Sequence, residues 1–238
     1  MKLARPDVFH PRIVLAGDRR SPAEDSGCSD DVGLVDALRT RGLHAHWLAW
    51  DDPETLRADL VILRGVRDYP GRFDEFLAWT RRVRNLLNPP EVIAWNAEQR
   101  YLSDLRCDGV PTLAHNPPTG GPAAATALVF FGGGRSHAFD AAGRELDPDF
   151  ELWDLGRAAL RAAAERLSIR IEELLYARAD MVGELDDARL VGLDLIAPQL
   201  GWHALSAGER DGHQRQFALA VESACERLGL GPLSHRRP

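Results

Sequence analysis

The chain has 238 residues, 45% of them hydrophobic and 27% charged, and its formal net charge is −7. This length supports one large domain or two small ones. Arginines are dispersed among acids, and no apolar run reaches the roughly 18 residues that a membrane helix needs, so we expect neither a nucleic-acid nor a membrane partner. The three cysteines form no CxxC pair, which is typical of a reduced, cytoplasmic protein.

Lysine is almost absent from the chain, because Lys2 is the only lysine among the 29 basic residues. A P-loop lysine, a Schiff-base lysine or a lysine clamp on a nucleotide would each need an ammonium group inside the fold. Lys2 lies in the N-terminal tail, so the composition argues against these three chemistries.

The first half of the sequence predicts alternating strands and helices. Short apolar runs predict strands at 13–17, 44–50 and 60–63. Helical spacing predicts helices at 30–41, with Asp30 or Ser29 as N-cap and Gly42 just past the end, at 73–83 and at 98–105. Val110–Leu113 contains a proline and is an edge strand at best. The alternation over 12–113 predicts a small parallel α/β sheet.

The second half predicts a different architecture. A Pro/Gly-rich stretch at 115–122 is the best candidate boundary. Beyond it, strands are predicted at 126–131, 136–139, 174–182 and 189–196, and helices at 152–167 and 214–228. We therefore predict an α/β domain at 1–114, a linker at 115–125 and an α+β domain with an antiparallel sheet at 126–238.

Several short motif blocks lie along both halves of the chain. The blocks are Leu63-Arg64 with Asp68-Tyr69-Pro70, Glu75–Trp79, Leu87-Asn88-Pro89, Trp95-Asn96, Arg100-Tyr101-Leu102, Thr126–Gly133, Ser136-His137-Ala138, Tyr176-Ala177-Arg178 with Asp180, and Leu193–Ile196 with Pro198. In sequence and in order these blocks resemble the ATP-grasp ligases, in the glutathione-synthetase-like branch that includes the cycloserine-forming ligase. The resemblance implies a Rossmann-like pre-ATP-grasp domain, followed by the C-terminal ATP-grasp subdomain.

The resemblance also implies ATP-dependent joining of a carboxylate to an amine through an acyl phosphate. In the family, ATP lies between a central lid-like subdomain and the C-terminal one, lysines hold its phosphates, and carboxylates hold magnesium. This chain departs from that pattern, because Pro111 reaches Thr126 through the Pro/Gly linker alone. The central subdomain is therefore expected to be absent together with its lysines. Outside it, family charges are replaced by Gln99, Ala125, Asp140-Ala141, Gly192 and Ala197.

The retained polar residues leave a short set of site candidates. Arg64 and Asp68 follow a strand end, where α/β sheets bind ligands, although Asp68 suits a helix cap equally well. Arg135 and Arg178 complete the candidates for substrate binding, since guanidinium groups bind phosphate or carboxylate bidentately. Asp180 and Asp194 form a weak candidate magnesium site that lacks a third ligand, and solvated or arginine-paired carboxylates are favoured there.

Two functional hypotheses follow. The first is a protein impaired in ATP binding that acts as a binding or accessory subunit of a biosynthetic pathway, with no cofactor. Its missing-lid surface would be covered by a homodimer contact or a partner protein. The second is an active ligase that uses ATP and Mg²⁺, with Arg64, Arg67, Arg135 and Arg178 in place of lysines. The second hypothesis requires these guanidinium groups to converge on one cleft.

Overall fold

The computed structural model describes residues 10–18, 30–98, 100–113, 126–183 and 187–231. The described residues of the first half form four strands and four α-helices: β1 Arg12–Gly17, α1 Leu34–Thr40, β2 His44–Ala49, β3 Leu60–Leu63, α2 Phe73–Thr80, β4 Leu86–Leu87, α3 Pro90–Asn96 and α4 Tyr101–Cys107. The strands form a parallel sheet of order β2-β1-β3-β4. This confirms the predicted parallel α/β sheet.

The second half contains an antiparallel sheet with two long helices: β5 Thr126–Phe131, β6 Gly134–Phe139, β7 Glu145–Leu146, α5 Phe150–Arg166, β8 Tyr176–Val182, β9 Arg189–Asp194 and α6 Ala207–Arg227. The strand order is β7-β6-β5-β8-β9. The strands predicted at 126–131 and 136–139 are present as β5 and β6, which form an antiparallel hairpin. The final helix begins at Ala207, earlier than predicted, because Ser206 and Glu209 form a capping box.

Three details of the first half differ from the sequence prediction. Asp30 does not cap α1, which begins at Leu34 after a turn ending in Gly33; Ser29 lies outside the described residues. The short strand β4 and the helix α3 around Asn88-Pro89-Pro90 are not among the predicted elements, and α3 begins at Pro90, as proline suits a first helical position. Thr112 makes a single parallel bridge to Leu190, so the weak strand at 110–113 joins the second sheet.

One hydrophobic core is shared by the two sheets. Ile13 and Leu60 of the parallel sheet belong to the same buried cluster as Val129 of β5 and Phe217 of α6. The helix α6 packs against α1 as well as against β5 and β6. Within the described ranges, no helix is both long and apolar enough to span a bilayer.

Buried amide groups also connect the two sheets. The side-chain nitrogen of Asn88 donates to the carbonyl of Leu195 at 2.7 Å, and its oxygen accepts from the Leu175 N–H at 2.7 Å. Asn96 bonds in the same way to Leu193 and Leu195, each at 2.8 Å. Satisfied polar groups in a dry interior hold one arrangement, because any displacement leaves several of them unpaired. The two halves are therefore joined by specific hydrogen bonds as well as by apolar packing.

Candidate functional site

A cleft with a volume of about 330 Å³ lies where the parallel sheet meets β8 and β9. Its walls come from the segment after β3, from the acidic turn before α1, and from the segment after β9. The described lining residues are Asp30, Asp31, Arg64, Gly65, Val66, Arg67, Arg178, Asp194, Ala197, Pro198, Gln199 and His203. The cleft is at the carboxyl ends of β1 and β3, where the strand order reverses and α/β proteins usually bind ligands.

Gly17, the last residue of β1, allows the two strand ends to approach closely. A Cβ atom at this position would lie 2.6 Å from the carbonyl oxygen of Arg64. Beyond it, the Asp18 carboxylate accepts from the backbone N–H groups of Arg67 and Asp68 at 2.9 and 3.3 Å. Burial raises the pKa of Asp18, and the adjacent Asp68 carboxylate raises it further. These contacts shape the segment 64–68 that forms one wall of the cleft.

Arg64 is the most buried charged side chain of the cleft, with 1% of the residue exposed. Its Nε donates to Asp31 Oδ1 at 2.7 Å and its Nη1 to the Pro198 carbonyl at 2.9 Å. The guanidinium group also lies 5.8 Å from the ring centroid of Tyr176. Burial opposes the charge of Arg64, but the Asp31 carboxylate raises its pKa on balance. The arginine is therefore a fixed cation in the cleft wall.

Arg178 reaches the cleft from β8. Its Nε donates to Asp180 Oδ1 at 2.7 Å, and its guanidinium lies 5.1 Å from the ring centroid of Phe139. Arg178 is directly opposite Asp194 in the pairing of β8 with β9. The expected pairing of Arg178 with one of these two acids is therefore present, and Asp180 is the partner.

Asp194 is on the face of β9 that lines the cleft. Its Oδ1 accepts from the backbone N–H groups of Ile196 and Ala197, at 2.9 and 3.3 Å. Burial nevertheless raises the pKa of Asp194. Asp180 and Asp194 share one face of the sheet, but Asp180 is paired with Arg178. Among the described residues no group of three or more His, Cys, Asp or Glu side chains could hold a metal ion. Asp180 and Asp194 therefore remain the two-carboxylate magnesium candidate that the sequence indicated, without a third side-chain ligand among the described residues.

The four arginines proposed to replace lysines do not all converge. Arg64, Arg67 and Arg178 line one cleft. Arg135 lies elsewhere, where it donates to Asp154 at 3.0 Å and stacks on Phe150 at 4.7 Å. It therefore takes no part in this cleft.

Asp68 also lies outside the lining of the cleft. Its Oδ1 accepts from Trp50 Nε1 at 2.8 Å, and its Oδ2 is 3.5 Å from Arg72. Asp68 precedes the short helical turn Tyr69–Arg72, but its side chain makes no capping hydrogen bond there. Its carboxylate holds Trp50 and Arg72 together beside the cleft wall.

Sequence reasoning missed the part of the site made by Asp30 and His203. The Asp30 carboxylate accepts from the backbone N–H groups of Leu200, Gly201 and His203, and from His203 Nδ1 at 2.9 Å. Burial alone would raise the pKa of Asp30, but the hydrogen bond from His203 and the charge of Arg64 lower it on balance. The 173 positions between Asp30 and His203 leave no local sequence signal. The one sequence feature that could have indicated this part of the site is the acidic pair Asp30-Asp31, just before α1 begins at Leu34.

Comparison with known proteins places this architecture among ATP-grasp ligases. Residues 13–88 match the model of the D-cycloserine synthetase DcsG N-terminal domain. The cycloserine biosynthesis protein DcsG of Streptomyces lavendulae is 34% identical over 85 residues, which span 34% of this chain and 28% of that relative. The matched region is thus the parallel half of the chain.

Solved structures extend the similarity to the whole fold. The crystal structure of D-cycloserine synthetase DcsG aligns with a TM-score of 0.74 and 22% identity, covering 91% of this chain and 99% of that one. D-alanine–D-alanine ligase from Bacillus anthracis aligns with a TM-score of 0.59 and 11% identity, covering 92% and 98%. The ATP-grasp ligase PsnB bound to precursor peptide PsnA2 and AMPPNP aligns with a TM-score of 0.56 and 13% identity, covering 91% of this chain and 100% of that one. The chain therefore has the fold of the ATP-grasp ligases, and residues 13–88 are similar to the N-terminal domain of DcsG.

Proposed function

We propose that this protein is impaired in ATP binding and serves as a small-molecule-binding or accessory subunit in a biosynthetic pathway. The observation that carries the proposal is the charge balance of the cleft. Among its described lining residues, three arginines face three aspartates. Arg64 and Arg178 are already held by carboxylates at 2.7 Å. A triphosphate needs a surplus of cations, and a neutral cleft with paired arginines does not supply one.

The chain length between the two sheets supports the same proposal. Only twelve residues, 114–125, separate Leu113 from Thr126. In the resembled ligases this interval holds a central subdomain with the nucleotide-binding strands. Twelve residues are too few for such a subdomain, since small domains begin at about 50 residues. Without the lid, water would reach an acyl phosphate and hydrolyse it.

A partner protein or a second copy of the chain is the proposed cover for the face of β8 and β9. Arg178 and Asp180 on this face keep 24% and 25% of their side chains exposed. In the resembled ligases ATP is enclosed on this side by the central subdomain. An accessory subunit would present the same face to another protein, and light scattering at several concentrations tests whether a homodimer forms.

Titration calorimetry with ATP and MgCl₂ tests the proposal directly. We expect no heat of binding under conditions in which DcsG, measured in parallel, binds the nucleotide. Circular dichroism of the same sample serves as the control for folding. Micromolar affinity for ATP would overturn the proposal.

A second candidate function is supported by Arg64, Arg67 and Arg178 lining one cleft. In this alternative the protein is an active ligase whose arginines bind phosphate or carboxylate. It predicts phosphate release from ATP in the presence of a small carboxylic acid and an amine. Loss of that release in Arg178→Ala, with release retained in Arg135→Ala, would favour the ligase over the accessory subunit.

A further inference from the structure

Arg178 and Asp194 are neighbours across two strands and face the same cleft. The two residues are directly opposite each other in the antiparallel pairing of β8 with β9. Side chains at directly opposite positions project from the same face of a sheet, with Cβ atoms about 4.5–5.5 Å apart. Both side chains line the cleft described above. The register of the strands therefore places a guanidinium and a carboxyl group side by side in the cleft wall.

The guanidinium group of Arg178 is held on one side only. Its Nε donates to Asp180, and its carbon atom lies 5.1 Å from the ring centroid of Phe139. Its Nη1 and Nη2 make no hydrogen bond to any residue that the structure describes, and 24% of the side chain is exposed. Arg178 therefore presents positioned hydrogen-bond donors to the cleft.

Asp194 provides an acceptor beside these donors. Its Oδ1 accepts from the backbone N–H groups of Ile196 and Ala197, which orient the carboxyl group. Within the described ranges its Oδ2 has no hydrogen-bond partner. Burial raises the pKa of Asp194, and the charge of Arg178 opposes this rise, so the two groups are close enough to interact. A free acceptor and free donors are thus adjacent in one wall of the cleft.

The two opposite charges favour a neutral ligand. An anion attracted by Arg178 is repelled by Asp194, and the reverse holds for a cation. A zwitterion would lose the hydration of two full charges in exchange for partly exposed ion pairs, which contribute little. A hydroxyl group carries no charge, and it both donates and accepts hydrogen bonds. Two hydroxyl groups on neighbouring carbon atoms therefore match this donor and this acceptor.

We propose that Arg178 and Asp194 form a binding site for a small neutral molecule with two adjacent hydroxyl groups, as in a sugar or another polyol. One hydroxyl oxygen accepts from the Arg178 guanidinium, and the other hydroxyl donates to Asp194 Oδ2. The cleft volume of about 330 Å³ is within the range of small-molecule sites. The inference rests on the proposed function, in which the cleft binds a small molecule other than ATP, and it adds the chemical class of that ligand.

A purely structural role for the two residues would leave ligand selectivity unchanged. Asp194 holds the segment after β9 through two backbone hydrogen bonds, and Arg178 pairs with Asp180. Loss of these contacts changes stability but does not distinguish a diol from an alcohol with one hydroxyl group. The test therefore compares two ligands that differ in one hydroxyl group alone. Cyclohexanol and the cis cyclohexanediol with adjacent hydroxyl groups are such a pair.

The experiment adds each ligand at constant pH and ionic strength, and NMR follows the Nε–H signal of Arg178 and the backbone N–H signals of Ile196 and Ala197. We expect the diol to shift these signals and to bind about tenfold more tightly than cyclohexanol, the effect of one well-formed hydrogen bond. Cyclohexanecarboxylate and the zwitterion cyclohexylglycine test the preference for a neutral ligand on a similar ring. Tighter binding of either one than of the diol overturns the inference.

Two variants assign the preference to the proposed residues. Asp194→Asn keeps an oxygen for the two backbone N–H groups but replaces the free acceptor by a donor, and Arg178→Met removes the guanidinium donors. In each variant the preference for the diol should fall to less than about twofold. Asp154→Asn and Arg135→Met are the matched controls, because these residues bond to each other outside the cleft, and both should keep the preference.

Equal affinity for the diol and cyclohexanol in the unmodified protein overturns the inference, as does an unchanged preference in either cleft variant. If Asp194→Asn does not fold, as judged by circular dichroism, Arg178→Met alone decides. ATP calorimetry on the same samples separates the two claims. A lack of diol preference without ATP binding refutes the ligand assignment alone, whereas ATP binding refutes the proposed function.

Discussion

The side-chain amide of Asn88, which follows the last strand of the parallel sheet, donates to the carbonyl oxygen of Tyr176 at the start of β8, across 3.0 Å. Tyr176 makes a second bond between the sheets, because its hydroxyl donates to the carbonyl of Leu63 at the end of β3, across 2.8 Å. Both residues are completely buried. Polar groups at the junction therefore fix the position of one sheet relative to the other.

Replacing Asn88 by alanine should lower the free energy of unfolding by about 3 kcal/mol or more, because three buried backbone groups lose their partner and each costs about 1–3 kcal/mol unsatisfied. Denaturant titration followed by circular dichroism measures the change. Asn85→Ala is the matched control, because Asn85 is only partly buried and makes one hydrogen bond, to Asp59. Its loss should cost less than about 1 kcal/mol. Equal losses in the two variants would contradict the role given to Asn88.

His137 should make stability depend on pH. Its Nε2 donates to the Leu200 carbonyl at 2.6 Å, and burial lowers its pKa to about 4. A lowered pKa in the folded state gives stability that is present above the ordinary value of about 6.5 and is lost as pH falls towards 4. The protein should therefore lose about 3 kcal/mol between pH 7 and pH 4 from this group.

Urea unfolding of His137→Gln over the same pH range checks this expectation. The variant should be less stable at pH 7 but should show a flatter pH dependence. Asp194, whose pKa is raised, acts in the opposite direction in both proteins and cancels in the comparison. His10→Gln, which replaces a histidine at an exposed position, serves as the control variant. An identical slope in His137→Gln would rule out this source of acid sensitivity.

Gly17 should tolerate no larger residue, since an added Cβ would lie 2.6 Å from the backbone oxygen of Arg64. We expect Gly17→Ala to destabilise the protein by about 1–3 kcal/mol, as overpacking does in rigid cores. In Gly212→Ala, an exposed position of α6 with no atom within 4 Å of the added carbon, stability should rise by about 0.5–1 kcal/mol. Thermal unfolding of the two variants measures both changes. A Gly17→Ala variant as stable as the unmodified protein would disprove the close approach of β1 and β3.

Patterns local to one segment predicted the elements correctly. The apolar runs at 13–17 and 60–63 are buried on both faces of a parallel sheet, so their composition alone identifies them. The hairpin of β5 and β6 follows from the glycines between two apolar stretches. The cleft position was also predictable from Arg64 at a strand end, because parallel strands present their carboxyl ends at one edge.

Interactions between distant segments account for what the sequence did not indicate. Asp30 has the residue type and position of a helix cap, but tertiary structure uses its carboxylate for the backbone of 200–203. Arg135 has the same chemistry as Arg64 and faces another surface, where Asp154 and Phe150 hold it. Side-chain direction across a fold depends on packing, and residue type alone does not determine it.

The residues that carry the resemblance to ATP-grasp ligases are largely those of the junction. Asn88, Asn96 and Tyr176 lie in the motifs shared with that family, and in this protein each bonds across the two sheets. The shared motifs therefore identify the frame of the fold. At other positions the resemblance implies charged residues, and there this chain has Gln99 and Gly192, among others.

The hydrogen bonds of Asn88, Asn96 and Tyr176 have a consequence for protein engineering. These bonds and a shared core hold the two sheets together. The covalent link between Leu113 and Thr126 is therefore not needed to keep the sheets in place. A foreign domain inserted into this link would interrupt neither sheet. The link is thus a suitable place to insert a domain of chosen specificity into this chain.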